Sequence, residues 1–563
     1  MTEGKEKDLE TKIWEFSLRN AIFHNGNAQI NAVLGKIMSE NSDLDAKEVR
    51  KNIKEIVKEI NDLPLEVQKE EAEKISLSLE KEEKEQREGL PELENVEEGE
   101  IVTRAAPNPN GPLHIGSARA FLLSYLYKKK YGGRFILRYD DTDPKTPGKE
   151  PKKKFYEWVK EDLEWLGCDP DLTVYATDRM DTYYEIIYEL LDNGNAYICT
   201  CDAEGWGKLR DEGEACPCRD LSNDENLERW ERMLDGEYGE REAVVRIKTD
   251  LQHKNPAIRD WPAARILEDV EHPRVGNEYL VWPLYNLASG IDDHELGVTH
   301  IFRAQEHSTN TEKQKYLYKH LGWNYPTAIH HGRLSLQGII LSTSTIREGL
   351  SENKFEGWDD PRLGTLRALK RRGYQPESIV ELIKQIGANP NDVSISSKNL
   401  ASINRKLIDN RANRYFFVRD PIEIKVENPL RDGEIKLPKH PQNPNKGNRI
   451  LETHEWFLID NEDFEDFSGQ KIRLKELYNI ELSNSGKCIG DGIVQEMPKI
   501  QWVPVEEKIH AKVKMPDGSV VSGAVENTVL EEDIGSVVQF ERFGFVRIDQ
   551  KNDSSVMCYF SHK

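Results

Sequence analysis

Apolar residues recur at helical spacing through the first 79 positions: Ile13, Phe16, Ile30, Val33, Leu34 and Ile37, then Val49, Ile53, Ile56, Val57 and Ile60. This predicts a small helical bundle. Between Glu80 and Glu100 ten glutamates stand against Lys81, Lys84 and Arg87, the pattern of a solvated helix end running into a linker. The texture changes at Glu100. Ile101–Ala106 reads as a buried strand, Pro107–Pro112 as a dense turn, and Leu113–Lys130 as a helix. Phe135–Tyr139 reads as a second strand ending in Asp140-Asp141-Thr142-Asp143-Pro144, and Phe155–Leu166 and Asp181–Asn193 as helices. Strands alternating with helices predict a parallel α/β sheet, whose ligands sit at the carboxyl ends of the strands. Both turn clusters fall there.

The rhythm breaks from Ala196 to about Trp282, resumes near Leu284 and runs to Ser344. Residues 352–420 read as helical and carry 13 Lys/Arg against 9 Asp/Glu. From about Ile422 short strands dominate, with Pro516-Asp517-Gly518-Ser519 as a hairpin turn. This predicts β-barrels or sandwiches.

The whole chain of 563 residues is formally −23, which argues against a protein coated everywhere by nucleic acid. A basic face on an acidic body remains compatible with that figure. No run of 18 uncharged apolar residues occurs, so no membrane contact is expected. The N-terminus is charged with no apolar stretch after it, so a cytoplasmic location is the default.

Chemistry concentrates in the strand–turn–helix from Arg104 to Ala118. A helix that opens after a tight turn aims backbone N–H groups at a ligand and favours phosphate. His114 stands where it can donate to a phosphate oxygen, and Gly116 lets a flat base approach the backbone. Four of the seven cysteines form two Cys-x-Cys pairs, Cys199/Cys201 and Cys216/Cys218. In a reducing compartment such pairs fit one tetrahedral zinc better than disulfides.

Pro107-Asn108-Pro109-Asn110-Gly111-Pro112-Leu113-His114-Ile115-Gly116-Ser117 resembles the "HIGH" signature of class I aminoacyl-tRNA synthetases. In its form it is similar to the glutamyl/glutaminyl subgroup. Arg138–Pro144, Trp282–Ala288 and Arg303–His307 match the same subgroup, in the same order. The β-rich end looks like the archaeal and eukaryotic branch.

The resemblance implies an α/β protein with six parts. Residues 1–98 form a helical N-terminal appendage and linker. Residues 99–197 and 284–349 form the two halves of a Rossmann-type parallel-sheet catalytic domain. Residues 198–283 are an inserted acceptor-stem domain, 350–421 a helical stem-contact segment, and 422–563 a β-barrel anticodon-binding region. It implies a ligase that joins glutamate to tRNA(Glu), and leaves open whether tRNA(Gln) is charged too. ATP with Mg²⁺ is the energy-supplying substrate, and zinc in the insertion is structural.

By the same resemblance His114 and Gly116 are catalytic, and Pro107–Ser117, Glu306, Ser342, Thr343 and Ser344 meet ATP. Arg104, Asp140, Tyr285, Ser289 and Arg303 meet glutamate, Asp140 taking its ammonium and the two arginines its carboxylates. An arginine cannot accept from an amide, so Arg303 favours glutamate over glutamine. The second signature, "KMSKS", has lost its lysines: the chain reads Leu341-Ser342-Thr343-Ser344-Thr345-Ile346-Arg347. Arg347 is the nearest replacement for the missing charge.

Three alternatives stand beside the ligase: a glutaminyl enzyme, a nucleotidylyltransferase without tRNA, and a non-catalytic tRNA-binding paralogue. Arg362, Arg367, Lys370, Arg371 and Arg372 are candidates for stem contact; Trp502 and Phe540 qualify for stacking on anticodon bases by residue type alone and otherwise read as core. The N-terminal helices are a candidate site for a protein partner. Every chemical motif lies after Glu100, which predicts that residues 1–98 are dispensable for glutamate activation.

Overall fold

The computed structural model describes residues 3–24, 26–40, 46–75, 77, 90–96 and 100–563. It divides into two compact units, Met1–Gln86 and Arg87–Lys563. Among its described residues the first unit holds four helices, α1 (Glu3–Phe23), α2 (Ile30–Glu40), α3 (Ala46–Asn61) and α4 (Leu65–Lys74). Ile13, Val33, Ile37, Val49, Ile53, Val57 and Ile60 form its buried core, as their spacing predicts. The glutamate-rich linker lies for the most part outside the described residues.

In the second unit, β1 (Val102–Ala105), α5 (Ile115–Tyr131), β2 (Arg134–Tyr139), α6 (Lys153–Trp165) and β3 (Leu172–Tyr175) alternate. The three strands pair in parallel with β2 in the middle. After α7 (Met180–Asp192) the chain leaves this sheet. It builds an antiparallel four-stranded sheet from β4 (Ala196–Cys199), β5 (Val244–Ile247), β6 (Pro262–Ile266) and β7 (Val281–Pro283). Helices α8 (Ala203–Glu212) and α9 (Asn223–Leu234) lie between β4 and β5 in the sequence. The insertion therefore starts at Ala196 rather than at residue 198, because β4 pairs with β5 along its full length.

The chain then returns through α10 (Tyr285–Glu295), β8 (His300–Ala304), α11 (Ser308–Leu321) and β9 (Thr327–His331). β8 and β9 pair in parallel, and Thr299 N donates to Val102 O at 2.9 Å, which sets β8 beside β1. The two sheets, β3-β2-β1 and β8-β9, thus stand side by side, with the two halves meeting between β1 and β8. Ligands bind at such a crevice in open α/β sheets. The loops after β1, β2 and β8 all open at the same carboxyl edge.

β10 (Leu334–Leu336) and α12 (Thr343–Ser351) come next, then α13 (Leu366–Arg371), α14 (Pro376–Ile386), β11 (Val393–Ile395) and α15 (Ser397–Ile408). The last region holds two seven-stranded sheets, each over its own core. The edge strands of one are 414–415 and 417–419, those of the other 499–500 and 503–504. In each sheet the two edges are consecutive stretches of chain, so the sheet curls toward a barrel. Residues 414–419 already belong to these sheets, so the boundary lies before Arg414 and not at 422. Trp502 and Phe540 are fully buried in the two cores, and Trp502 Nε1 donates to Lys475 O at 2.8 Å. Neither is placed to stack on a base.

The boundary at residue 98 also needs correction. Leu90 and Leu93 pack on the catalytic core. Leu93 N donates to Tyr131 Oη at 2.9 Å, and Glu94 O lies 3.0 Å from Nε2 of the buried His300. Residues 90–96 are therefore part of the catalytic unit. Deleting residues 1–86 is expected to leave its melting temperature unchanged. Deleting 1–98 is expected to cost about 3–5 kcal/mol, from two exposed apolar contacts and one orphaned buried histidine. Chemical denaturation of the two truncations checks this.

Candidate active site

The signature loop is fixed by its own hydrogen bonds. His114 is the N-cap of α5: its Nδ1 accepts from Ser117 N at 3.1 Å, and Ser117 Oγ accepts from His114 N at 3.2 Å. This reciprocal cap satisfies two otherwise orphaned donors. It also assigns Ser117, which stands where the signature has a second histidine, a structural role. With Nδ1 accepting, the hydrogen of the neutral ring sits on Nε2. Burial lowers the His114 pKa to about 4, so the ring is neutral at physiological pH. A Cβ on Gly116 would lie 3.0 Å from His114 Nδ1 and 3.3 Å from Leu334 O, so only glycine leaves the ring undisturbed.

The rest of the loop ties to its neighbours. Asp140 N donates to Pro107 O at 2.9 Å, Lys152 N to Pro109 O at 3.0 Å, and Asn110 Nδ2 to Gly148 O at 2.8 Å. Asn108 Oδ1 is buried without a hydrogen-bond partner. The second signature loop meets the first directly. A Cβ on Gly111 would sit 3.0 Å from Thr343 Cγ2, and Arg347 Nη2 donates to Asn110 O at 2.9 Å. Ser342 caps α12, and its Oγ lies 2.9 Å from Ser344 Oγ. The lysine-free loop thus presents four hydroxyls and a helix N-terminus, with one arginine already joined to the signature opposite.

Beneath these loops lies a cluster of buried charge centred on two consecutive aspartates of α10. Asp292 accepts from Arg138 Nε, Arg179 Nε and Tyr183 Oη, each at 2.6 Å. Asp293 pairs with Arg104 at 2.8 and 3.1 Å, with Arg303 Nη2 3.7 Å away. Burial opposes the charge of Arg104 and Arg138, yet the adjacent carboxylates raise both pKa values, so both stay protonated. Arg138 Nη1 reaches Asp140 at 2.8 Å. Arg104 is therefore committed to Asp293, and Asp140 is held by Arg138.

Arg303 differs from its neighbours. Its Nη1 donates to Gln314 Oε1 at 3.0 Å and Thr311 Oγ1 at 3.3 Å, while Nε and Nη2 are buried with no hydrogen-bond partner. Buried polar groups are rarely left so. Ser289 is buried and accepts from Gln314 Nε2 at 2.7 Å. It therefore orients the amide that holds Arg303. Tyr285 begins α10 with its ring 6.0 Å from His307, and Asn286 Oδ1 beside it is buried and unpaired. Glu306 lies at the rim and accepts from Arg333 Nε at 2.7 Å. No motif in the sequence singles out Asp292, Asp293, Thr311 or Gln314.

The four clustered cysteines converge. Their sulfurs lie within 4.8 Å of one another, with Cys199–Cys216 at 3.9 Å and Cys201–Cys218 at 3.8 Å. None is in a disulfide. Four thiolates about 2.3 Å from a tetrahedral zinc stand about 3.8 Å apart, so this donor set fits the ion and leaves no coordination position open.

The basic run of the helical segment is used differently from its expected role. Arg362 pairs with Asp360, Arg367 with Glu161, and Arg371 with Asp359 and Asp549. Arg372 is buried and donates to Phe560 O and Ser561 O. Of the five, Lys370 alone is exposed. These arginines fasten the segment to its neighbours.

The family model for the catalytic domain of class I (E and Q) tRNA synthetases matches residues 100–410. The chain belongs to this family. Two models of its anticodon-binding domains match residues 412–497 and 499–549. A glutamate–tRNA ligase of Pyrococcus furiosus is 49% identical over 577 aligned positions, covering 99% of this chain and 100% of its own. Those of Thermococcus onnurineus and Methanothermobacter thermautotrophicus are 47% and 43% identical at the same two coverages. A solved glutamate tRNA ligase from Elizabethkingia meningosepticum aligns at 23% identity and a TM-score of 0.41, over 56% of this chain and 70% of its own. The family places an α/β synthetase catalytic domain before β-rich anticodon domains, as the sequence predicts. Among the described residues no helix is long and apolar enough to cross a membrane.

Proposed function

We propose that this protein is a glutamate–tRNA ligase, and the observation that carries the reading is Arg303. Two buried N–H donors on one guanidinium fit a carboxylate in the forked, charge-assisted manner. They offer nothing to the NH₂ of glutamine. The full-length relatives named above bear the same activity.

In the first step a glutamate α-carboxylate oxygen attacks the α-phosphorus of ATP, and the bond to pyrophosphate breaks. In the second, a hydroxyl of the tRNA 3′-terminal ribose attacks the activated carbonyl carbon and AMP leaves. The chain's part is positioning and charge stabilisation. His114 Nε2–H donates to the α-phosphoryl oxygens as charge builds on them. The loop Pro107–Ser117 and the start of α5 line the nucleotide, with Gly116 under the base and Glu306 toward the ribose. Ser342, Thr343, Ser344 and the α12 N-terminus hold the departing phosphates with Mg²⁺, and Arg347 lends charge where the lysine is missing. Asp140 and Tyr285 take the ammonium. Arg303 takes the side-chain carboxylate, with Arg104 and Ser289 supporting it through Asp293 and Gln314.

Zinc on Cys199, Cys201, Cys216 and Cys218 holds the insertion in shape. Elemental analysis is expected to find about one zinc per chain, and Cys216→Ser to lose it together with several degrees of thermal stability. ATP-dependent charging of total tRNA with labelled glutamate, and with labelled glutamine in parallel, tests the main reading. Glutamate charging alone supports it. Glutamine charging, or binding of tRNA without any charging, overturns it. Charging of purified tRNA(Gln) with glutamate decides the breadth of tRNA choice.

A further inference from the structure

The peptide at Leu113, immediately before His114, is held on both sides by groups that belong to neither signature. On one side Leu113 O accepts from Leu366 N at 2.8 Å, and Ile115 N donates to Gly364 O at 3.1 Å. These two bonds lace the loop to the start of α13. On the other side Leu113 N donates to Asp162 Oδ2 at 2.9 Å. Asp162 lies on α6, only 4% exposed, and is separated from Leu113 by 49 residues. Its other oxygen is 3.3 Å from Arg367 Nε, an ion-pair approach that makes no hydrogen bond. That guanidinium stacks 4.3 Å above Trp158 and also pairs with Glu161. Asp162, Arg367, Trp158, Trp165 and Trp358 line a cleft of about 590 Å³ on the far side of the loop.

A buried carboxylate is costly, and replacing it with an apolar residue is often neutral or stabilising when its partner goes too. This one is kept where its single backbone contact is the amide beside the N-cap histidine. The His114 ring is rigid on its own peptide through the cap to Ser117. The height of the Leu113 peptide therefore sets where Nε2 points. We infer that Asp162 is a positioning residue for His114: its carboxylate fixes the Leu113 peptide from behind, and Arg367 fixes the carboxylate. This rests on the role of His114 proposed above.

The test compares Asp162→Ala, Asp162→Asn and the unaltered full-length protein by two readouts. The first is hydrogen–deuterium exchange of the peptide spanning 107–118, which needs no activity. Asp162→Ala is expected to raise exchange at the 113 amide at least tenfold. Asp162→Asn keeps an acceptor oxygen and is expected to stay close to the unaltered protein. The second is glutamate-dependent ATP–pyrophosphate exchange in the presence of total tRNA. In Asp162→Ala, kcat is expected to fall about 10–100-fold with KM for glutamate within about twofold, since displacement of a reacting group by about 1 Å costs about 100-fold. Asp162→Asn is expected to recover most of it. Unchanged amide exchange in Asp162→Ala overturns the inference. So does a loss of kcat that Asp162→Asn fails to restore. If amide exchange rises while the unaltered protein itself performs no glutamate-dependent exchange, Asp162 holds the peptide as inferred and the ligase reading is what fails.

Discussion

Replacing His114 by asparagine is expected to lower the rate of glutamate activation about 100–1000-fold while leaving thermal stability nearly unchanged. The two halves of this outcome come from the two ring nitrogens. Nδ1 caps α5, and asparagine is among the best N-cap residues, so its Oδ1 takes over the bond from Ser117 N. Nε2–H has no counterpart in asparagine, and loss of one donor to a developing anion costs about 2.7–4 kcal/mol. His114→Ala loses both functions and is expected to be less stable by about a further 1 kcal/mol. Pyrophosphate exchange and thermal melts of the two variants separate the effects. The pH profile provides another check. Burial puts the His114 pKa at about 4, so the imidazole stays neutral as pH falls from 8 to 6. Activation is expected to show no titration from this ring in that window; only as pH approaches about 4 does Nδ1 take a proton, which ends its bond from Ser117 N while Nε2–H remains a donor.

Arg303→Gln is expected to reduce kcat/KM for glutamate about 100–1000-fold and to change the much lower rate with glutamine by less than tenfold. Two charge-assisted hydrogen bonds to a buried carboxylate contribute about 3–4 kcal/mol together, and each 1.36 kcal/mol is about a factor of ten. The variant is expected to fold, because Arg104 still pairs with Asp293 on its own. Exchange kinetics with both amino acids check it. A loss shared equally by glutamate and glutamine would place Arg303 outside side-chain recognition.

The parts of this fold legible in the sequence are those written by local chemistry. Asn108-Pro109-Asn110-Gly111-Pro112 can only turn, and the run from His114 onward can only start a helix. The cysteine pairs are legible as one cluster because both are Cys-x-Cys within twenty residues, and their sulfurs do converge. Features hidden from the sequence depend on contacts between distant segments. Asp292 and Asp293 look like solvated residues on a polar helix, yet their partners Arg138 and Arg104 come from strands 154 and 189 residues earlier. The basic run around Arg367–Arg372 reads as free charge because composition does not reveal pairing. Two of its acids, Glu161 and Asp549, come from segments far away in the sequence, and the third, Asp359, from the same segment. Trp502 and Phe540 carry the right side chains for base stacking, but each lies in a barrel core. Domain edges move for the same reason: strands 414–419 and residues 90–96 are claimed by partners far along the chain.

The cluster on α10 holds three deeply buried arginines, Arg104, Arg138 and Arg303, against two deeply buried aspartates. At its margin Arg179 and Asp140 offset one another. Arg303 is the one whose Nε and Nη2 lack hydrogen-bond partners, so positive charge is left locally unsatisfied there, and glutamate bound as proposed would bring a carboxylate to it. A consequence is a particular sensitivity to salt. Small anions such as chloride and sulfate, and short dicarboxylates, are drawn to the same guanidinium and are expected to inhibit competitively with glutamate.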